Sequence, residues 1–177
     1  MEQLVNLENI LNKIPVWEGI SVADFGSGSG IFTIELAKKL NNNGHILAID
    51  ILEKPLAFLI ENAKRQNVAH LINTKICDLE NKTLGRDLQS GFDMVTAINM
   101  LFQVKDKENV VKEAKRVLKD NGFLVVVDWE IYKIPMTENL YPVNKKELVK
   151  NVEKIGFELK EEVRVSNTHF GLIFTKK

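Results

Sequence analysis

The chain has 177 residues, enough for one domain with one sizeable core, and its 45% hydrophobic and 27% charged residues exclude disorder and fibrous structure. Lys+Arg and Asp+Glu both total 24, so the formal net charge is zero and a broad basic face for nucleic acid is not expected. One cysteine, Cys77, excludes an internal disulfide framework and fits a reducing compartment. No apolar run approaches the ~20 residues of a bilayer span, and Glu2 and Glu8 stand where a signal peptide is basic, so a cytoplasmic chain without membrane insertion is expected. Leu4, Leu7, Leu11 and Ile14 fall at helical spacing and predict an amphipathic helix over residues 1–14.

Near-continuous apolar runs follow at Ile20–Phe25, Ile46–Ile49, Leu71–Cys77, Phe92–Ile98 and Phe123–Trp129, the pattern of parallel strands buried on both faces. Between them Ile31–Leu40, Pro55–Gln66 and Glu108–Leu118 carry a helical period, and Lys119-Asp120-Asn121-Gly122 reads as a turn into the fifth strand. Strand and helix in alternation predict a doubly wound α/β sheet. A helix from about Asn144 to Ile155, then strands Phe157–Val165 and Thr168–Thr175 joined by Ser166-Asn167, predict a terminal antiparallel hairpin on a mostly parallel sheet. With no repeat or linker, residues 1–177 read as one unit.

Val22-Ala23-Asp24-Phe25-Gly26-Ser27-Gly28-Ser29-Gly30 runs from a buried strand through three glycines at alternate positions into a helix. Such a loop lets a ligand approach bare backbone, and the helix start favours an anionic group. An empty tight turn is the alternative. The dinucleotide fingerprint G-x-G-x-x-G/A fails in both registers, since Ile31 or Thr33 takes the third small position, and no Gly-Lys-Ser/Thr makes a P-loop. Asp50 closes the second strand, where a carboxylate accepts from both hydroxyls of a ribose or, alternatively, caps the next helix. Asp78 follows the third strand and is either an acceptor for an adenine amino group or a solvated turn residue. Asp24, Asp50 and Asp78 together form a row of acids along the ligand edge of the sheet.

These segments resemble the class I S-adenosylmethionine-dependent methyltransferases over nearly the whole chain. Val22–Gly30 is similar to the family's first motif, Ala48-Ile49-Asp50 to its second, and Ile76-Cys77-Asp78-Leu79 to its adenine-side motif. Phe92–Asn99 fits the fourth strand. Val117–Leu124 resembles the R-V-L-K-P-G-G-x-L stretch with Asp-Asn in place of Pro-Gly, and Gly156-Phe157 is also in place. The nearest likeness is to small ubiquinone/menaquinone-type enzymes. The resemblance implies a Rossmann-like, seven-stranded methyltransferase fold, S-adenosylmethionine as cofactor and S-adenosylhomocysteine as product. It assigns Asp24, Gly26 and Gly28 to the methionine part of the cofactor, Ser27 and Gly30 to the same cofactor-binding loop, and Asp50 to the ribose. Ile51 would lie on the adenine, with Asp78 and Leu79 on its edge, and the Asn99 carbonyl would accept from the ammonium. Met100 and Phe102 would line the approach to the methyl group.

Beyond the cofactor, Asp128 and Glu130 end the fifth strand and are the candidate catalytic bases. The alternative is a polar strand terminus with Trp129 packed over the sheet. Tyr141 and His169 complete the expected substrate side with Trp129, although a lone strand histidine is often structural. Residues 1–19 and 130–143 are expected to close the pocket as a helical lid and a substrate-side loop. Residues Tyr132–Tyr141 lack the Gly-Pro-Pro and arginine of related enzymes, which leaves the acceptor open.

No metal site is expected, because the three histidines are far apart and Cys77 stands alone. Tyr141 and Lys145 match Y-x-x-x-K, but Pro142 keeps Tyr141 extended and Asn144 with Glu147 begins a helix there. Asn99 is followed by Met-Leu-Phe, not by the Pro-Pro-Tyr of base-directed enzymes, so no nucleic-acid partner is expected. The expected function is methyl transfer to a small-molecule acceptor. The rivals are an NAD(P)-dependent oxidoreductase and a non-catalytic S-adenosylmethionine-binding module. The oligomeric state is not legible.

Overall fold

The structure, a computed structural model, describes residues 7–81, 88–130 and 140–177. Its strands are β1 (Ile20–Phe25), β2 (Gly44–Asp50), β3 (Ile72–Ile76), β4 (Phe92–Ile98), β5 (Leu118–Trp129), β6 (Phe157–Arg164) and β7 (His169–Lys176). The helices are α1 (Leu7–Leu11), α2 (Ile31–Lys39), α3 (Glu53–Arg65), α4 (Lys107–Val117) and α5 (Lys145–Ile155). The strands form one seven-stranded sheet in the order β3-β2-β1-β4-β5-β7-β6. The first five pair in parallel, and β7 enters antiparallel between β5 and β6. This is the predicted α/β sheet with its C-terminal antiparallel hairpin.

Residue alternation along the central strands splits the core into two layers. Val22, Ile46, Met94 and Val125 pack with Ile10, Leu36 and Leu59 of α1, α2 and α3. Ala23, Val95, Val126 and Phe174 pack with Val111 of α4 and Val152 of α5 on the other face. β1 and β4 are therefore buried almost throughout, as their continuous apolar runs predict. β3 differs because it forms the sheet's edge, and Asn73, Thr74 and Ile76 are exposed. β1 lies between β2 and β4, so the crossovers leave it in opposite directions and a crevice opens beyond its carboxyl end.

Two boundaries depart from expectation by more than two residues. β5 begins at Leu118, not Phe123: Leu118 pairs with Phe92 and Phe123 with Met94, so the Lys119–Gly122 turn is accommodated inside the ladder as a bulge. Asn121 adopts φ 62° there, and Lys119 Nζ bonds Asp93 Oδ1 at 2.6 Å. The N-terminal helix, in its described part, is the single turn Leu7–Leu11, while Leu4 lies outside the described residues. Ile10, Leu11 and Ile14 are buried in the core, and among the described residues of this segment Leu7 borders the crevice. No helix among the described residues is long and apolar enough to cross a membrane.

Candidate functional site

The chain leaves β1 through Gly26, Gly28 and Gly30 at φ 67°, 54° and 83°, the left-handed region that favours glycine. Close packing adds a second requirement at two of them. A Cβ on Gly26 would stand 2.3 Å from Met100 Cγ, and one on Gly30 would stand 2.3 Å from Leu59 Cγ. A Cβ on Gly28 would meet nothing within 4 Å, so that glycine faces open space. Ser27 N donates to the Ile49 carbonyl at 2.9 Å and Gly30 N to the Ser27 carbonyl at 3.0 Å. Asp50 fixes the loop from the side: Oδ2 accepts from Gly28 N at 2.9 Å, and Oδ1 from Leu52 N at 3.0 Å. Its carboxylate thus holds the glycine loop and bonds the amide of Leu52 just ahead of α3, whose N-cap is Leu52 and carries no side-chain capping bond, so Asp50 does not cap that helix.

A cleft of about 610 Å³ lies over this loop at the carboxyl ends of β1, β2 and β4. All ten residues that the sequence reading assigns to a cofactor, from Asp24 to Asn99, line it. Asn99 sits at φ 53°, its N–H bonded to the Val127 carbonyl at 2.8 Å and its own carbonyl accepting from Gln103 Nε2 at 3.1 Å. Asp78 Oδ1 accepts from Glu80 N at 3.0 Å. Two buried atoms in the lining, Ser27 Oγ and Asn99 Oδ1, have no hydrogen-bond partner, a cost that a polar ligand would relieve. Ile51 is 59% exposed and gives the cleft an apolar platform. Asp24, Asp50, Asp78 and Glu80 contribute carboxylates, and no lysine, arginine or histidine lines the cleft among the described residues.

Asp24 is the buried member of this row. Thr33 Oγ1 of α2 donates to its Oδ2 at 2.5 Å, and Thr96 Oγ1 of β4 to its Oδ1 at 2.6 Å. Burial pushes its carboxyl up from 3.8 to about 6, against the pull of the two hydroxyls. Sequence reasoning misses Thr33 and Thr96, although each is a hydroxyl in an apolar run, which requires a buried partner. Because the folded-state value is raised, the stabilising contribution of this group is complete below the ordinary carboxylate value and disappears as pH rises through about 6. Replacing Asp24 with Asn is expected to remove roughly 1–3 kcal/mol of this pH dependence, read as the difference in urea-unfolding free energy near pH 4 and near pH 7.

The expected substrate side separates from this set. Met100 lines the cleft, whereas Phe102, Trp129, Tyr141 and His169 do not. They instead contact one another. The Phe102 and Trp129 rings meet edge to face at 6.5 Å, and Trp129 and His169 lie 4.0 Å apart as cross-strand partners on β5 and β7. Tyr141 N donates to the Phe102 carbonyl at 2.7 Å. Tyr141 lies outside any helix while Lys145 begins α5, capped by Asn144, so the Y-x-x-x-K pair is not one helical turn apart. His169 is buried, with Nδ1 2.8 Å from Thr168 Oγ1 and Nε2 without a partner, and burial lowers its pKa to about 4. Asp128 is fully buried and Glu130 borders a separate groove with Lys145 and Glu162, so neither candidate base lines the cleft. Residues 131–139 of the expected substrate-side loop lie outside the described residues.

Residues 17–173 match the sequence pattern of a family described as a methyltransferase domain. The chain is 33% identical over 140 residues to the ribosomal protein L11 methyltransferase of Dictyoglomus thermophilum, covering 79% of this chain and 42% of that protein. It is 26% identical over 155 residues to the demethylmenaquinone methyltransferase of Staphylococcus haemolyticus, covering 88% of this chain and 62% of that protein. The chain therefore spans less than two thirds of either relative's length. Among solved structures, an S-adenosylmethionine-dependent methyltransferase from Aquifex aeolicus superposes with a TM-score of 0.82 at 22% identity, covering 98% of this chain and 91% of that one.

Proposed function

The chain belongs to the methyltransferase-domain family, and from that premise we propose that it binds S-adenosylmethionine in the cleft over the glycine loop and transfers the methyl group to a small-molecule acceptor. The observation that carries this reading is the charge of the lining: four carboxylates and no basic side chain among the described residues. That lining suits a cationic ligand and opposes the pyrophosphate of a dinucleotide. The unpartnered Ser27 hydroxyl offers a donor, Asn99 Oδ1 an acceptor, and the open side of Gly28 the space that such a ligand uses.

In this reading Asp24 and the Asn99 carbonyl accept from the cofactor's ammonium, and the start of α2 takes its carboxylate. Asp50 accepts from the ribose hydroxyls. Ile51 lies against one face of the adenine, Asp78 takes its amino group, and the Leu79 backbone N–H donates to a ring nitrogen. Bound there, the cofactor supplies an electrophilic methyl group on a sulfonium centre. Leu7, Met100 and Val104 give the cleft apolar walls that exclude water, and alignment of an acceptor against those walls is the main catalytic contribution of the chain. Among the described residues no histidine or lysine lines the cleft to serve as a general base, which fits an acceptor that is nucleophilic in its neutral form.

S-adenosylhomocysteine at ~100 times its dissociation constant is expected to stabilise the protein by about 2.7 kcal/mol, several degrees in a thermal-shift assay, with little effect from NAD(P). A larger shift with NAD(P) would overturn the cofactor assignment. Incubation with methyl-labelled cofactor and a panel of phenols, amines and thiols then tests transfer, and saturable binding without any labelled product would favour the non-catalytic module. A protein acceptor is the second reading, favoured by the 33% identity to a relative named for ribosomal protein L11. Ribosomal proteins therefore belong in the same panel.

A further inference from the structure

The segment after β4 supplies one wall of the cleft through Asn99, Met100 and Gln103, and β5 holds it at two points. The Val127 carbonyl accepts from Asn99 N at 2.8 Å. One residue on, Asp128 Oδ2 accepts from Phe102 N at 3.2 Å, in the short 3-10 turn Leu101–Gln103, while Oδ1 accepts from Trp129 N at 2.8 Å. Asp128 has the strand parity of Leu124 and Val126, whose side chains pack on the α4/α5 face, and it has no exposed surface. A fully buried carboxylate is costly to keep unless it has work that an apolar residue could not do. Its work here is on the backbone of the turn.

We propose that Asp128 is a positioning residue: its buried carboxylate pins the Leu101–Gln103 turn to the tip of β5 and so sets where Met100 and Gln103 stand in the cleft. Met100 in turn packs against Gly26, so the turn and the glycine loop share one contact. Gln103 reaches back to the Asn99 carbonyl, so a shift of the turn would also alter the acceptor that the proposed ammonium site uses. The inference about the cleft rests on the S-adenosylmethionine reading; the pin itself does not.

The pin carries a pH dependence. Burial raises the Asp128 carboxyl to about 7, and hydrogen bonds from the Trp129, Phe102 and Leu101 amides pull it back in part. Lys107 on α4 also favours the charged form, and Glu80 and Glu147 act on Lys107 in turn. Lys107 Nζ donates to the Val104 carbonyl at 2.7 Å and lies 5.6 Å from the Tyr141 ring centre. From β7 the direct neighbour is Phe170, with His169 beside it on the opposite face against Trp129. Below about pH 7 the carboxyl gains a proton and its charge-assisted hold on the turn weakens.

Hydrogen exchange by NMR in Asp128→Asn and in the unaltered protein tests the pin without any ligand. The amide keeps the side-chain volume and one acceptor, and a melting temperature close to the unaltered protein's confirms folding. Intrinsic-rate-corrected exchange of the Phe102 amide is expected to rise about tenfold in the variant, and the protection step near pH 7 in the unaltered protein is expected to vanish. S-adenosylhomocysteine affinity is expected to fall several-fold, with KM for the cofactor rising more than kcat falls. Unchanged Phe102 exchange would overturn the pin. Faster exchange with unaltered cleft affinity would overturn its role in the site. If the unaltered protein binds no S-adenosylhomocysteine, the cofactor reading fails, and the exchange data together with the Gln103 side-chain resonances still decide whether Asp128 sets the cleft wall.

Discussion

Gly30→Ala is expected to destabilise the fold by about 2–5 kcal/mol, against about 1 kcal/mol for Gly28→Ala two residues earlier. Both glycines have positive φ, 83° and 54°, so each pays a similar backbone cost when a Cβ is added. They differ in surroundings. At Gly30 the new methyl would lie 2.3 Å from Leu59 Cγ and 2.8 Å from its Cδ1. Leu59 is fully buried on α3, so it cannot retreat without opening the core. At Gly28 the methyl meets nothing within 4 Å in the free protein and enters the space proposed for the ligand. Urea unfolding should therefore separate the two by more than about 1 kcal/mol, with Gly28→Ala losing S-adenosylhomocysteine affinity while keeping most of its stability. Equal midpoints for the two variants would contradict the packing argument.

Asp50→Ala is expected to weaken S-adenosylhomocysteine binding by roughly 1–3 kcal/mol, about 5- to 150-fold in dissociation constant. Two losses combine. The proposed ribose hydroxyls lose a charged acceptor, and the loop loses the tether from Gly28 N, 2.9 Å from Oδ2. Leu52 N loses its 3.0 Å partner too, at a partly exposed site where water can replace it, so stability should change by less than about 1 kcal/mol. Asp50→Asn separates the effects, since an amide retains one oxygen for Gly28 and drops the charge. Calorimetric titration that gives the same affinity for Asp50→Ala and the unaltered chain would remove Asp50 from the site.

How far the site was legible from sequence follows the range of the interactions. The glycine loop is local: Gly26, Gly28 and Gly30 supply the left-handed turns, and the adjacent apolar runs fix the strand before it and the helix after it. The acids at the ends of β1 and β2 and just beyond β3 share an edge because parallel strands all point the same way. That geometry needs only the strand order in sequence, so the sequence alone groups Asp24, Asp50 and Asp78. The bulge at Lys119–Gly122 was visible as a turn, but its accommodation within the β4–β5 ladder required knowing that Leu118 would still find Phe92.

By itself, then, the sequence determined the α/β class, the terminal antiparallel hairpin, the loop after β1 and the acidic edge around it. Each follows from hydrophobic period, glycine spacing or strand ends, which act within a few residues of each other. Only the tertiary structure decided that β7 lies inside β6, that Thr33 and Thr96 close on Asp24, and that Asp128 turns from the cleft to hold the Phe102 amide. A β-strand fixes which residues share a face, yet what that face meets depends on chain that returns from far away: Thr96 lies 72 positions from Asp24, and Phe102 lies 26 from Asp128. Burial of those two carboxylates comes from layers that exist only once the sheet is covered on both sides.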